Sequence, residues 1–148
     1  MEEKVIVKWS KIHPNAIIPK PAYPGDAGVD LAVVEDCMLH PLERKLIGTG
    51  LKVEIPQGYE LQIRPRSGMA LKTTLMIANS PGTIDCNYRG EVKIIVWNTA
   101  GYYYSIKAGT KIAQAVLQKL PTVEHIEVSE EELTNTDRGE KGFGSSGI

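Results

Sequence analysis

The sequence has little of what marks several common classes of protein. Its 17 basic and 18 acidic residues leave a net charge of −1, so no excess of positive charge indicates a nucleic acid or an anionic membrane as partner. No apolar run approaches the roughly 20 residues that a membrane helix requires. The N-terminal MEEKVIVKWSK also lacks the apolar segment of a signal peptide. We therefore expect a cytoplasmic protein without nucleic-acid or membrane partners.

Cysteine and histidine are also scarce. Cys37 and Cys86 form no CxxC pair, and the three histidines stand far apart in the chain. This pattern argues against a zinc centre or a histidine triad and predicts two reduced thiols. Hydrophobic residues, by contrast, make up 42% of the 148 residues. That is enough for a single domain with a core of its own.

Glycine and proline, 14 and 9 in number, divide the chain into short segments rich in β-branched and aromatic residues. Such segments predict strands, here at residues 5–9, 31–34, 45–55, 59–64, 92–98, 102–106 and 125–129. Many short strands at this spacing favour an antiparallel barrel or sandwich. Local propensity favours a helix in two places, SGMALKTT with Ser67 as its N-cap and KIAQAVLQKL at 111–120.

Three blocks combine turn residues with charged side chains. PGDAGVDL carries Asp26 and Asp30, although an ordinary turn explains both equally well. PRSGMALK places Arg66 and Ser67 where a strand ends and a helix begins, which is typical of anion sites. GTIDCNYRGEV predicts a hairpin with Asp85 and other polar residues in its turn.

The C-terminal RGEKGFGSSG is open to two interpretations. Its composition is that of a solvated, mobile tail. Yet an arginine, hydroxyls, glycines and the only phenylalanine of the chain also suit an arm that closes over a phosphate-bearing ring.

Five blocks in order, PGDAGVDL, PRSGMALK, ANSPGTIDCNYRGEV, GTKIAQAVL and RGEKGFGSSG, closely resemble the motifs of the homotrimeric dUTPases. The resemblance implies an all-β fold, a distorted, jelly-roll-like antiparallel β-barrel with one short helix. It implies a barrel domain over residues 1–133 and a flexible arm over 134–148 that closes over an active site. Each site would be shared among three subunits, and residues 111–120 would be strand rather than helix.

The implied activity is hydrolysis of dUTP to dUMP and pyrophosphate, which limits uracil incorporation into DNA and supplies dUMP for thymidylate synthesis. By resemblance, Asp85 is the general base for the water that attacks the α-phosphorus, and Gln114 and Asn79 hold that water or line the pocket. The resemblance also implies Mg²⁺ on the triphosphate oxygens. Asp30 contacts this metal through water, and Asp26 is structural.

The remaining roles concern the nucleotide. The main chain of Thr83, Ile84 and Lys93 is expected to read uracil, because cytosine reverses part of the donor–acceptor pattern. Tyr88 is expected to pack under the deoxyribose and exclude a 2′-hydroxyl. The residues expected to bind phosphates from a neighbouring subunit are Arg66, Ser67 and Gly68. Those of the arm are Arg138 for the γ-phosphate, Phe143 for stacking on uracil, and Gly144, Ser145 and Ser146 for closure.

Two positions depart from the commonest family pattern, Asn87 in place of Asp and Lys141 in place of Gly. Neither has an assigned catalytic role. Two alternatives stay open at this point. A dCTP deaminase or bifunctional deaminase–dUTPase would share the fold but needs a glutamate on the strand after the turn, where Ile94, Ile95 and Val96 stand. A catalytically silent dUTP-binding module would keep the fold without the reaction.

Overall fold

The computed structural model describes residues 4–147. Residues 1–3 and 148, the outer ends of the predicted barrel domain and arm, lie outside this range. Nearly all of the regular secondary structure in the described chain is strand, and none of its helices is long and apolar enough to cross a membrane. Its elements are β1 (Lys8–Lys11), β2 (Gly28–Ala32), β3 (Cys37–Leu39), β4 (Arg44–Glu54), β5 (Tyr59–Arg64), α1 (Ser67–Lys72), β6 (Leu75–Ile77), β7 (Gly82–Ile84), β8 (Glu91–Asn98), β9 (Tyr104–Ile106), β10 (Lys111–Lys119) and a 3₁₀ turn (Glu130–Glu132).

The strands form two four-stranded antiparallel sheets and one small two-stranded sheet. The order is β1-β4-β8-β6 in the first sheet, β2-β10-β5-β7 in the second and β3-β9 in the third. Alternate side chains of each strand enter one shared core, as Val92, Ile94 and Val96 do from β8. The predicted all-β barrel with one short helix is confirmed.

The segment at 111–120 shows packing overriding local propensity. Its helix formers favoured a helix, which is wrong, and the strand implied by resemblance is right. β10 lies between β2 and β5, and Ile112, Ala113, Ala115 and Val116 are all buried. A strand in this central position is stabilised by neighbours on both edges, which no local preference anticipates.

The predicted cap of α1 is off by one residue. Arg66, not Ser67, is the N-cap, with extended backbone at φ −91° and ψ 142°, and no side chain caps the helix. Ser67 is therefore already helical. Its hydroxyl makes no cap bond and is exposed at the first turn.

The predicted hairpin at 82–92 is also wrong as a paired structure. β7 pairs with β5, whereas β8 pairs with β4 and β6. The segment crosses from one sheet to the other, so the edges of β7 and of early β8 that border the connecting loop have no strand partner within the described chain.

The predicted strand at 125–129 does not form. Residues 121–133 are exposed throughout and contain only the 3₁₀ turn. The alternation of His125, Ile126, Glu127 and Val128 suits a half-buried strand, but no strand of the described chain pairs with it. Ile126 and Val128 stay exposed as a result.

One buried amide fixes the end of β8. Asn98 is 0% exposed. Its Oδ1 accepts hydrogen bonds from the Thr74 hydroxyl at 2.8 Å and the Ala100 amide at 3.1 Å. Its Nδ2 donates to the carbonyls of His40 and Tyr102 at 3.1 and 2.8 Å. Both donors and both acceptor positions of this side chain are therefore used.

We expect Asn98→Asp to lower the free energy of unfolding by about 2–4 kcal/mol, because a carboxylate oxygen would then face two carbonyls without a donor. Urea unfolding followed by circular dichroism measures this. The matched control is Asn87→Asp, the same chemical change at an exposed turn, with an effect within about 0.5 kcal/mol. Equal effects of the two substitutions would contradict the role of Asn98.

Candidate active site

An ion pair joins two of the predicted blocks. Arg66 Nε lies 2.9 Å from Asp30 Oδ1, and Arg66 Nη1 donates to the Lys111 carbonyl at 3.2 Å. Lys111 Nζ lies 3.6 Å from the other oxygen of Asp30. Both members of the Arg66–Asp30 pair are half-buried, with 35% and 21% of their side chains exposed. The guanidinium is thus held in one place by a carboxylate and a carbonyl.

Gln114 belongs to the same cluster. It lies opposite Asp30 on one side and Arg64 on the other, and its Nε2 donates to the Pro65 carbonyl at 2.9 Å. The side chain rests on Gly28, where an added Cβ would collide with Gln114 Oε1. Glycine at position 28 therefore gives this amide its place across the strand.

Arg66 and Gln114 line an open groove of about 550 Å³ at one end of the second sheet. Its charged lining residues are Arg64 and Arg66, and no acidic side chain of the described chain lines it. Arg64 is held in turn by Gln62, whose Oε1 accepts from Arg64 Nη2 at 2.8 Å and Nε at 3.1 Å. Two fixed guanidiniums make the groove suited to an anion.

The sequence motifs do not single out three residues that the structure brings to the cluster and its groove: Gln62, Arg64 and Lys111. The signal was weak but present: Arg64 lies two residues before Arg66, and Lys111 opens the strand that carries Gln114. Within β5, Gln62 and Arg64 are two residues apart and therefore point to the same face. Ser67 lines the groove, and a Cβ at Gly68 would meet nothing within 4 Å; phosphate binding by both residues stays a prediction. Asn79 lies on an exposed turn beside the lining residues Ser80 and Pro81.

Asp85 is not brought to this groove. It follows Ile84, which pairs with Leu61 of β5. Asp30 lies opposite Gln114, which in turn lies opposite Arg64, three residues further along β5. The path from Asp85 to Asp30 crosses three strand spacings and about four residues along the sheet, on the order of 20 Å. Within one chain, Asp85 therefore lies far from the cluster that holds Arg66 and does not line the groove.

The loop after Asp85 presents Tyr88 and the start of β8. The Tyr88 hydroxyl donates to the Glu91 carbonyl at 2.8 Å, and its amide donates to the Asp85 carbonyl at 3.1 Å. The ring crosses Gly90 so closely that any Cβ there would collide with it. Thr83 and Lys93 are exposed, and Ile84 is buried. This places three of the predicted uracil readers along the two strand edges that have no partner.

The predicted arm stands apart from both regions. Arg138 Nε donates to the Lys141 carbonyl at 2.9 Å, and every hydrogen bond made by residues 134–147 has its partner in the same segment. A shallow cavity of about 370 Å³ is lined by Arg138, Lys141, Ser145 and Ser146. Gly144 follows with φ 96°, and the ring of Phe143 is fully exposed.

The profile of the dUTPase family matches residues 14–147. The chain belongs to the dUTPase family. It is 48% identical over 145 residues to the deoxyuridine 5′-triphosphate nucleotidohydrolase of Wolinella succinogenes, covering 98% of this chain and 96% of that protein. It is 51% identical over 138 residues to the protein of the same name from Picosynechococcus sp., covering 93% and 95%.

Solved dUTPase structures have the same fold. The dUTPase of Staphylococcus bacteriophage 80alpha with dUPNHPP superposes with a TM-score of 0.88 at 32% identity, covering 97% of this chain and 99% of that one. A mutant dUTPase of phage phi11 of S. aureus, which coordinates a structural Mg(II) ion, gives 0.79 at 30% identity, covering 86% and 99%. The predicted membership of this family is confirmed.

We expect the Arg66–Asp30 pair to show a coupling energy of about 1–2 kcal/mol, because both charges are partly removed from water. A double-mutant cycle with Asp30→Ala and Arg66→Ala, measured by urea unfolding, tests this. The same cycle on the more exposed pair of Lys8 and Glu54, 3.2 Å apart, should give less than about 0.5 kcal/mol. Equal couplings would mean that the Arg66–Asp30 pair is no stronger than a surface contact.

Proposed function

We propose that this protein hydrolyses dUTP to dUMP and pyrophosphate. The observation that carries the proposal is the fixed cluster of Asp30, Arg66 and Gln114, which brings three separate family blocks to one anion-binding groove. The near-complete coverage of relatives named deoxyuridine 5′-triphosphate nucleotidohydrolase supports it.

Asp85 accepts the proton of the attacking water in this mechanism. The water oxygen forms a bond to the α-phosphorus while the bond from that phosphorus to the bridging oxygen breaks, and pyrophosphate leaves. Asp85 is exposed, so water can reach its carboxylate, and aspartate is one of the side chains that commonly serve as general base. Gln114 and Asn79 complete the pocket around the water.

The phosphate chain lies in the groove. The Arg66 guanidinium is already oriented by Asp30 and the Lys111 carbonyl, so binding an anion requires little further ordering. Ser67 adds a hydroxyl at the first turn of α1. Gly68 faces open space, which leaves room for phosphate oxygens to approach the backbone.

The donor set also fits Mg²⁺ bound through water. Asp30 uses one oxygen for Arg66 and lies near Lys111. A carboxylate has about four lone-pair sites, so Asp30 keeps acceptor capacity for metal-bound water. When bound, the metal neutralises charge on the triphosphate and holds it extended. Asp30 would orient the metal-bound water and would not coordinate the metal itself.

The base and sugar occupy the opened loop between β7 and β8. Uracil is read by main-chain groups of Thr83, Ile84 and Lys93, which lie on edges without a strand partner. Cytosine presents the reverse pattern at two positions and would leave these groups unpaired. The Tyr88 hydroxyl donates to the Glu91 carbonyl, and the ring lies across Gly90, where any side chain would collide with it. In this position Tyr88 packs under the deoxyribose and excludes a 2′-hydroxyl.

The protein acts as a homotrimer with shared sites. The separation of Asp85 from Arg66 within one chain is the main argument, since both must reach one triphosphate. Uncovered apolar side chains support assembly: Leu46 and Met76 are exposed on the outer face of the first sheet, beside half-buried Ile95 and Trp97. Residues 121–133 also leave Ile126 exposed.

The arm over residues 134–148 closes on bound nucleotide in this proposal. Arg138 binds the γ-phosphate, Phe143 stacks on uracil, and Ser145 and Ser146 follow Gly144 into the closure. Among the described residues, 134–147 make no hydrogen bond to the barrel, which supports a segment that becomes ordered when nucleotide binds. Closure then expels water from the phosphates.

The deaminase alternative is disfavoured by the contacts of β8. Val96 and Ile94 are buried in the core. The strand's only carboxylate, Glu91, accepts a hydrogen bond from the Gly50 amide at 3.1 Å, on the side of β4. We place the enzyme in the cytoplasm, where its free cysteines, Cys37 and Cys86, stay reduced.

The purified protein with dUTP and Mg²⁺ should release pyrophosphate, detected as phosphate after added pyrophosphatase, and should release no ammonia from dCTP. Asp85→Asn should still bind dUTP, because its shape is kept. Its turnover should fall by at least about 10²-fold, as for loss of a general base. The matched control is Asp26→Asn, at an exposed turn where the carboxylate accepts from the Tyr23 amide. Near-normal turnover of Asp85→Asn would remove Asp85 from the mechanism.

Truncation after Thr136 should leave the barrel folded and the trimer intact, because residues 137–147 make no hydrogen bond to the described barrel. Hydrolysis at saturating dUTP should drop sharply, because without the arm nothing closes over the phosphates to expel water. Phe143→Ala should show a milder loss, given that one base–aromatic stack contributes about 1–3 kcal/mol. Full activity of the truncated trimer would show that the segment is a solvated tail.

A further inference from the structure

Thr49 is one of two fully buried polar residues of the described core, and the mechanism above does not use it. It lies in a bulge of β4, where the pairing with β8 shifts between Gly48 and Lys52. Its hydroxyl donates to the Val92 carbonyl at 2.7 Å. Asn98, the other such residue, has a structural role, because its side chain makes four hydrogen bonds. The Thr49 hydroxyl makes only the one hydrogen bond to Val92.

The contact fixes a peptide group at the start of β8. The carbonyl of Val92 and the amide of Lys93 belong to the same peptide, which is trans. In a trans peptide these two groups point in opposite directions. A carbonyl held on the β4 side therefore directs the Lys93 amide to the other side of β8.

On that other side, no strand of residues 4–147 pairs with β8 at Lys93. The Asn98 amide donates to Glu43, towards β4, and the Ile95 carbonyl accepts from Ala78, towards β6. Backbone groups alternate along a strand, so Lys93 shares the direction of Ile95. β6 pairs with β8 only as far as Val96. The Lys93 amide thus opens towards the edge next to the Tyr88 loop.

We propose that Thr49 is a positioning residue for pyrimidine recognition: it holds the Val92–Lys93 peptide so that the Lys93 amide donates to a carbonyl oxygen of the base. This inference rests on the proposed function. The bulge gives a second anchor, because Gly50 donates to the Glu91 carboxylate and Gly48 leaves space for it. Glu91 in turn holds the Tyr88 hydroxyl through its own carbonyl.

The hydroxyl also strengthens the amide as a donor. A carbonyl that accepts a hydrogen bond polarises its peptide, and its N–H becomes a better donor in consequence. Since Thr49 is excluded from water, no solvent molecule replaces its hydroxyl when it is removed. A valine of nearly the same shape would leave the Val92 carbonyl without this partner.

The test compares Thr49→Val with Thr49→Ser, which keeps the donor and loses only a methyl group. Thr49→Val should raise KM for dUTP about three- to tenfold, the range set by one hydrogen bond. Its kcat should stay within about twofold, as for an interaction made equally with substrate and transition state. Thr49→Ser should keep the KM of the unmodified protein even where its melting temperature falls.

The matched control is Thr74→Val, which removes a part-buried hydroxyl hydrogen bond at the far end of β8. It should lower stability and leave KM unchanged. If Thr49→Val does not fold, Thr49→Ala against Thr49→Ser gives the same comparison, because the two differ by one oxygen. Calorimetric binding of dUMP should follow the KM values.

Two results would overturn the inference. The first is an unchanged KM in the variants without the hydroxyl. The second is an equal rise of KM in Thr49→Ser, since that would trace the effect to packing. Both leave the proposed function standing, provided that the unmodified protein hydrolyses dUTP. An unmodified protein without this activity would remove the proposed function and the inference together.

Discussion

Unpaired backbone at the junction of the two large sheets is the constraint on which the rest of the site depends. A strand edge that neither pairs nor meets water leaves N–H and C=O groups unsatisfied, and folded proteins avoid this state. Here β7 is the edge strand of the second sheet, and the first residues of β8 extend beyond the end of β6 in the first sheet. The connecting loop is held open between them. Under the proposed function, uracil supplies the hydrogen bonds that a neighbouring strand would otherwise make.

The rigidity of that opening comes from outside the loop. The bulge of β4 contacts the first two residues of β8 through the Gly50 amide and the Thr49 hydroxyl. Tyr88 is held at the Glu91 carbonyl and across Gly90. A recognition surface made of main chain cannot be adjusted by choice of its own side chains. Its geometry therefore has to be set by residues that never touch the ligand.

Periodicity and turn chemistry predicted a large part of the fold. The strand at 59–64 has the predicted bounds and those near 45–55 and 92–98 lie within a residue of them, because alternation of buried side chains is strong there. Residues 111–119 and 125–129 could not be assigned locally. The first is strand because β2 and β5 flank it, and the second is not strand because it pairs with no strand of the described chain. Such contacts lie far away in sequence.

The candidate site was predictable only in part for a related physical reason. Resemblance placed Asp30, Arg66 and Gln114 in one site, and the cluster that they form adds Lys111 and Arg64, whose importance depends on strand register. Register also accounts for the distance between Asp85 and that cluster. The register of the second sheet puts Asp85 and Arg66 at opposite corners. Under the proposed function, one chain therefore holds two half-sites, and neither is sufficient for the reaction. Moving them together would disrupt the sheet that positions both. Association of chains joins the half-sites without any change in the fold, which is why assembly is part of the chemistry that we propose.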